Sequence, residues 1–99
     1  MHIHNVYFWL NNCSDADRAG FEKGLAALMN ISQIHSGYWG VPAGVDREVV
    51  DGSYDYSLSL IFANRADHDT YQSDADHDLF IERHKHLWSA VKVFDTTSR

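Results

Sequence analysis

The sequence predicts an α+β domain in which four antiparallel strands carry two helices on one face. Three observations predict it. Residues 53–62 alternate apolar and small polar side chains with period two, the pattern of a strand with two unlike faces. Two stretches of helical spacing, one on either side of the middle of the chain, separate that strand from apolar runs at the two ends. At 99 residues there is room for one domain only, spanning residues 1–99.

The first apolar run covers residues 3–10. Its alternate residues form two sets, His4, Val6, Phe8, Leu10 and Ile3, Asn5, Tyr7, Trp9, both largely apolar, which predicts a strand covered on both faces. Asn11-Asn12-Cys13-Ser14 turns into a helix, with Ser14 as N-cap and Asp15 and Asp17 in the first turn, where the helix dipole favours negative charge. Phe21, Leu25, Leu28 and Ser32 recur at helical spacing. Gly20 and Gly24 weaken that helix by roughly 1 kcal/mol each relative to Ala and suit a close approach to the sheet.

A short strand is predicted over residues 34–41, with Gly37 and Gly40 marking a bulge or a tight approach. Residues 42–52 form the longest irregular stretch, the candidate mobile segment. The clear strand follows, with Tyr54, Tyr56, Leu58, Leu60 and Phe62 on one face. Asn64 caps a second helical region, broken near Ser73-Asp74 and resumed through Leu79, Phe80, Lys85 and Trp88. Residues 90–95 make the last strand and 96–99 a tail. The order β-α-β-β-α-β is the split βαβ, ferredoxin-like arrangement. Its helix-free face carries Tyr7, Trp9 and Phe94, and aromatics on an open sheet mark an interface. A homodimer through the sheet faces is therefore expected.

Composition narrows the partners. The net charge of -6 leaves no basic patch to neutralise phosphates, so neither nucleic acid nor an anionic membrane surface is an expected partner. No apolar run approaches the length of a membrane-spanning helix. The start Met1-His2-Ile3-His4 lacks the basic-then-apolar order of a signal peptide, and the cytoplasm is the default address. One cysteine, Cys13, allows no internal disulfide; Asp15 and Asp17 would raise its pKa, so an inert thiol is expected.

Seven histidines invite a metal, but the spacings argue against one. The run Asp74, Asp76, Asp78 imitates a calcium loop, yet Leu79 stands where that loop needs Gly and Lys85 where it needs Glu. His84 and His86 lie two apart on a helix and point to different faces. No HExxH or paired-Cys motif exists. Neither metal nor cofactor is expected.

The ordered set of segments resembles the stress-responsive dimeric α/β-barrel (Dabb) family. The likeness runs through His4-Asn5-Val6-Tyr7-Phe8-Trp9-Leu10, Phe21, Leu25 and Leu28, Tyr38-Trp39-Gly40, and Asp55-Tyr56-Ser57-Leu58-Ser59-Leu60-Ile61-Phe62. It continues with Tyr71 followed six residues later by His77, and with Trp88 and Val93-Phe94-Asp95. The resemblance implies a protomer whose sheet packs on its partner's to form a barrel. It also implies, from a plant polyketide cyclase of that family that needs no cofactor, a pocket lined by His4, Tyr71 and His77, with the last two doing acid–base work. Trp88 would be the pocket tryptophan, and Val6, Phe8, Leu58, Leu60, Val91 and Val93 the apolar wall. Leu25 stands at a pocket position where the cyclase has tyrosine, which points to a different substrate.

Two roles stay open for these residues. His4 on an apolar face suits a satisfied core histidine, and Tyr71 a buried ring with a local hydrogen bond. Together with His77 they also suit proton abstraction beside a carbonyl. The functional expectations are a cofactor-free lyase, cyclase or isomerase acting on a small apolar or aromatic carbonyl compound; a non-catalytic stress-associated dimer that binds or stores a ligand; and a cofactor-free monooxygenase.

Overall fold

In the computed structural model, which describes residues 1–99, the strands are β1 (His2–Leu10), β2 (Ser36–Gly40), β3 (Tyr56–Phe62) and β4 (Trp88–Thr97). The helices are α1 (Asp15–Leu28), α2 (Arg65–Gln72) and α3 (Ala75–His84), with one 3-10 turn at Lys85–Leu87. The strands form one antiparallel sheet in the order β2-β3-β1-β4, the ferredoxin-like arrangement, with the predicted second helix split into α2 and α3.

Local chemistry accounts for the helix ends. Ser14 Oγ accepts the Asp17 N–H while Asp17 reaches back to the Ser14 N–H, a reciprocal capping box that starts α1. Asn64 accepts the Asp67 N–H at 2.8 Å and starts α2. Ser73 ends α2, and Asp74, accepting the Asp76 N–H at 2.8 Å, starts α3, so the break falls where the sequence placed it.

The core lies between the helices and the sheet. Phe21, Leu25 and Leu28 of α1 meet Val6 and Phe8 of β1, Tyr56, Leu58, Leu60 and Phe62 of β3, and Tyr71 and Phe80 of the split helix. The Tyr56 hydroxyl donates to Glu22 at 2.6 Å, and Asp55 accepts the Leu10 N–H at 2.7 Å, tying the ends of the strands to α1 and to each other. In β1 the set His2, His4, Val6, Phe8 is buried, whereas Ile3, Asn5, Tyr7 and Trp9 are only half-buried. Within the protomer the helices thus cover one face of the strand. The protomer is a slab 18 Å deep with no layer over its second sheet face.

Several boundaries differ from the sequence expectation. The second strand keeps only Ser36–Gly40, because Ile34 belongs to the turn leaving α1. The third starts at Tyr56, since Tyr54 leaves the ladder and packs its ring against Tyr7. The first helix ends at Leu28 and does not reach Ser32. Trp88 opens β4 instead of closing a helix, and β4 takes in Thr96 and Thr97 of the expected tail by pairing with Ile3 and His2.

The glycines also divide. A Cβ on Gly24 would meet His84 Nε2 at 2.5 Å, so this glycine admits α3 beside α1 and not the sheet. Gly37 allows the tight approach predicted for it, a Cβ there meeting Leu60 at 2.7 Å, while Gly20 and Gly40 face open space.

Candidate functional site

Alternation along β1 directs His4, Val6 and Phe8 toward the helices. Cross-strand pairing sets Val93 opposite Val6 and Val91 opposite Phe8, extending that face to the sheet edge. Between it and the split helix lies a cavity of about 140 Å³. It is lined by His4, Tyr71, Gln72 and His77, and by apolar side chains that include Val6, Phe8, Leu28, Leu58, Phe80, Ile81, Trp88, Val91 and Val93. Val91, Val93 and Ile81 are partly exposed and border its mouth.

His4, Tyr71 and His77 thus meet at one cavity. Tyr71 is fully buried and stands between the two histidines, its ring centroid 6.1 Å from His4 and 4.8 Å from His77, both edge-on. Burial, reinforced by the Asp74 carboxylate, drives the Tyr71 hydroxyl far above the usual phenol range, so it is held protonated. Burial also lowers the His77 pKa, against a smaller upward pull from Asp78 and Asp74. His77 Nδ1 is buried with no hydrogen-bond partner. Leaving such a group unpaired costs about 1–3 kcal/mol.

Two expected wall residues lie elsewhere. Leu25 and Leu60 are fully buried in the core and do not border the cavity. Leu25 projects from α1, whereas the cavity opens on the α2–α3 side of the sheet. Leu60 is filled over by its neighbours, including the close approach at Gly37.

Beside the cavity is a polar cluster that sequence reasoning missed. His4 Nδ1 lies 2.6 Å and His2 Nε2 3.0 Å from the same Asp95 oxygen, and His68 Nε2 lies 3.9 Å from it. The His2 and His68 rings stack with centroids 4.1 Å apart. Gln72 Nε2 lies 3.5 Å from His4 Nε2 and 3.4 Å from His68 Nε2, so its amide faces both rings. Burial lowers the His4 pKa despite Asp95. Burial would raise that of Asp95, but the hydrogen bonds from His4 and His2 outweigh it and hold the group ionised. Extending the alternating set of β1 one step back reaches His2, and His68 lies one helical turn before Tyr71. Asp95 required the strand register, which sets it opposite His4.

Solved structures resemble this protomer along its whole length. A crystal structure of an Arabidopsis thaliana protein superposes with a TM-score of 0.82 at 20% identity, covering 100% of this chain and 96% of that one. A dimeric ferredoxin-like protein of unknown function from Thermobifida fusca gives 0.82 at 15% identity, covering 98% and 90%. Hydroxynitrile lyase from Passiflora edulis gives 0.78 at 18%, covering 96% and 90%. At such identities these likenesses establish the fold alone. No curated protein sequence matches significantly. The model of the stress responsive A/B barrel domain, however, matches residues 3–98, from the strand that carries His4 to the end of the strand that carries Asp95. Since that model matches nearly the whole chain, the chain belongs to the stress responsive A/B barrel domain (Dabb) family.

Proposed function

We propose that the chain is a homodimeric small-molecule protein whose cavity performs acid–base chemistry on a small carbonyl compound, carried by its own side chains. The observation that carries this reading is one apolar cavity lined both by His77, whose neutral form burial favours, and by Tyr71, which burial holds protonated. An apolar cavity of about 150 Å³ accommodates a benzene-sized molecule, so a single-ring or short-chain ligand fits the volume here. Neutral His77 takes a proton from the carbon beside the carbonyl. Tyr71, protonated, donates to the carbonyl oxygen as negative charge develops there. The product of that step is an enol or enolate, from which carbon–carbon bond formation, cleavage or isomerisation can follow. His4, braced by Asp95, forms the remaining polar edge. A hydroxynitrile lyase shares the fold, so the scaffold is compatible with lyase chemistry.

The test uses a small aryl ketone, acetophenone, in D₂O. Proton NMR follows loss of its α-proton signal. Wild type should accelerate the exchange; His77→Ala should abolish the acceleration with the fold intact, and Tyr71→Phe should slow it by about 10²–10⁴-fold. Binding of the ketone without faster exchange would instead assign the cavity to ligand binding alone. Equal rates in wild type and both variants would remove the acid–base role.

A further inference from the structure

The cluster of His2, His4, His68 and Asp95 lies beside the cavity, and the chemistry proposed for the cavity makes no use of His2 or His68. All three histidines are nine-tenths or more buried, and the ligand atoms of the four residues lie within 4.8 Å of one another. His2 and His4 are two apart on β1, so strand geometry sends both rings to one face. Asp95 arrives from β4 by cross-strand pairing with His4, and His68 descends from α2. No Lys or Arg pairs with Asp95; its ion-pair contacts are the three histidines alone. An ionised carboxylate facing three imidazole nitrogens with no cation of the protein beside it is the donor set of a metal site.

We propose that these four residues bind one borderline divalent transition-metal ion, Zn²⁺ being the best fit to three imidazoles and a carboxylate. The sequence expectation of no metal rested on His84, His86 and the Asp74–Asp78 run, none of which belongs to this cluster. Tetrahedral zinc with ligand bonds of about 2.0–2.1 Å spaces its donors about 3.3 Å apart. The separations from the Asp95 oxygen, 2.6, 3.0 and 3.9 Å, straddle that value, so the side chains close on an ion by small rotations.

The surroundings match what ligating histidines need. His68 Nδ1 lies 3.1 Å from Asp69 Oδ1, which holds the proton on Nδ1 and leaves the Nε2 lone pair facing the cluster. Ligation by His4 Nδ1 moves its proton to Nε2, where the Gln72 side-chain oxygen receives it after the amide turns over. His2 likewise shifts its proton from Nε2 to Nδ1. The Asp95 side chain is 40% exposed and provides the entry path. The inference goes beyond the carbonyl chemistry proposed for the cavity, and its test reads metal content, so either can fail alone.

The test is equilibrium dialysis of the tag-free protein against Zn²⁺, with bound metal measured by mass spectrometry. One ion per protomer is expected. Asp69→Asn leaves all four donors in place and changes an exposed residue, so it should fold and bind about 10–100-fold more weakly. His68→Ala and Asp95→Asn should lose stoichiometric binding. Failure of wild type to take up Zn²⁺ from micromolar solution would overturn the proposal. So would a Zn²⁺ affinity unchanged in Asp69→Asn together with retained binding in any folded donor variant, which would place the ion on other histidines.

Discussion

His77 has its neutral form favoured by burial, with Tyr71 against its ring, Asp74 and Asp78 pulling its pKa back up and His68 pushing it down. The net shift is downward from 6.5. A general base works only when neutral, so exchange activity should be level above pH 6.5 and fall as the pH drops through the lowered value. A pH–rate profile with its acidic limb centred above 6.5 would contradict this assignment. Tyr71, raised well above the phenol range, should add no alkaline limb below pH 10. At this scale His4 was legible as an inward residue from the face of a strand, while Tyr71 and His77 were singled out by the family resemblance beside a helix break. His2, His68 and Asp95 were not, because they come together only through strand register and the seating of α2 on β1. Leu25 and Leu60 were legible as apolar inward residues, but periodicity alone does not say which inward residue meets packing and which meets a void.

The caps at Ser14 and Asn64 were readable because each is a local hydrogen bond between residues three apart; at the expected break near Ser73-Asp74 the structure adds Asp74 as the cap of α3. Strand ends were not, because they depend on where a neighbour stops pairing; β4 outlasts its apolar residues through Thr96 and Thr97 for that reason. The long connection between β2 and β3 is irregular, as its composition suggested, and leaves Val41, Val45, Val49 and Val50 exposed. Within residues 42–52 the Val50 N–H donates to the Arg47 carbonyl at 3.0 Å in a single tight turn. Amide exchange there should therefore be the fastest between the first and last strands. Slow exchange across the whole segment would contradict this and would point to pairing of Val49 and Val50 with a second subunit.

For the whole molecule, one sheet face is packed by helices and the other carries Tyr7, Trp9, Tyr54 and Phe94. The Tyr7 ring lies 4.9 Å from Tyr54 and 6.1 Å from Phe94, and Phe94 is 54% exposed. These rings and Asn5, Asp51 and Lys92 surround a hollow of about 390 Å³ on the open face. We propose that a second copy presenting the same face covers this surface; a ferredoxin-like neighbour is itself described as dimeric. Trp9→Glu should convert a dimer to monomer or aggregate in sedimentation velocity runs. A wild-type chain sedimenting as a stable monomer at micromolar concentration would defeat the dimer. The fold itself was legible because two periodicities, 2 and 3.6, alternate cleanly along a short chain.

The cavity that joins His4, Tyr71 and His77 is proposed to take up a ligand. The most direct measurement is a ¹H–¹⁵N NMR titration of the histidine ring nitrogens with acetophenone. The ring signals of His77 and His4 should shift saturably together, while those of His35 and His86, which do not line the cavity, stay in place. Ring signals of His77 and His4 that do not move, or that move independently with different midpoints, would contradict it.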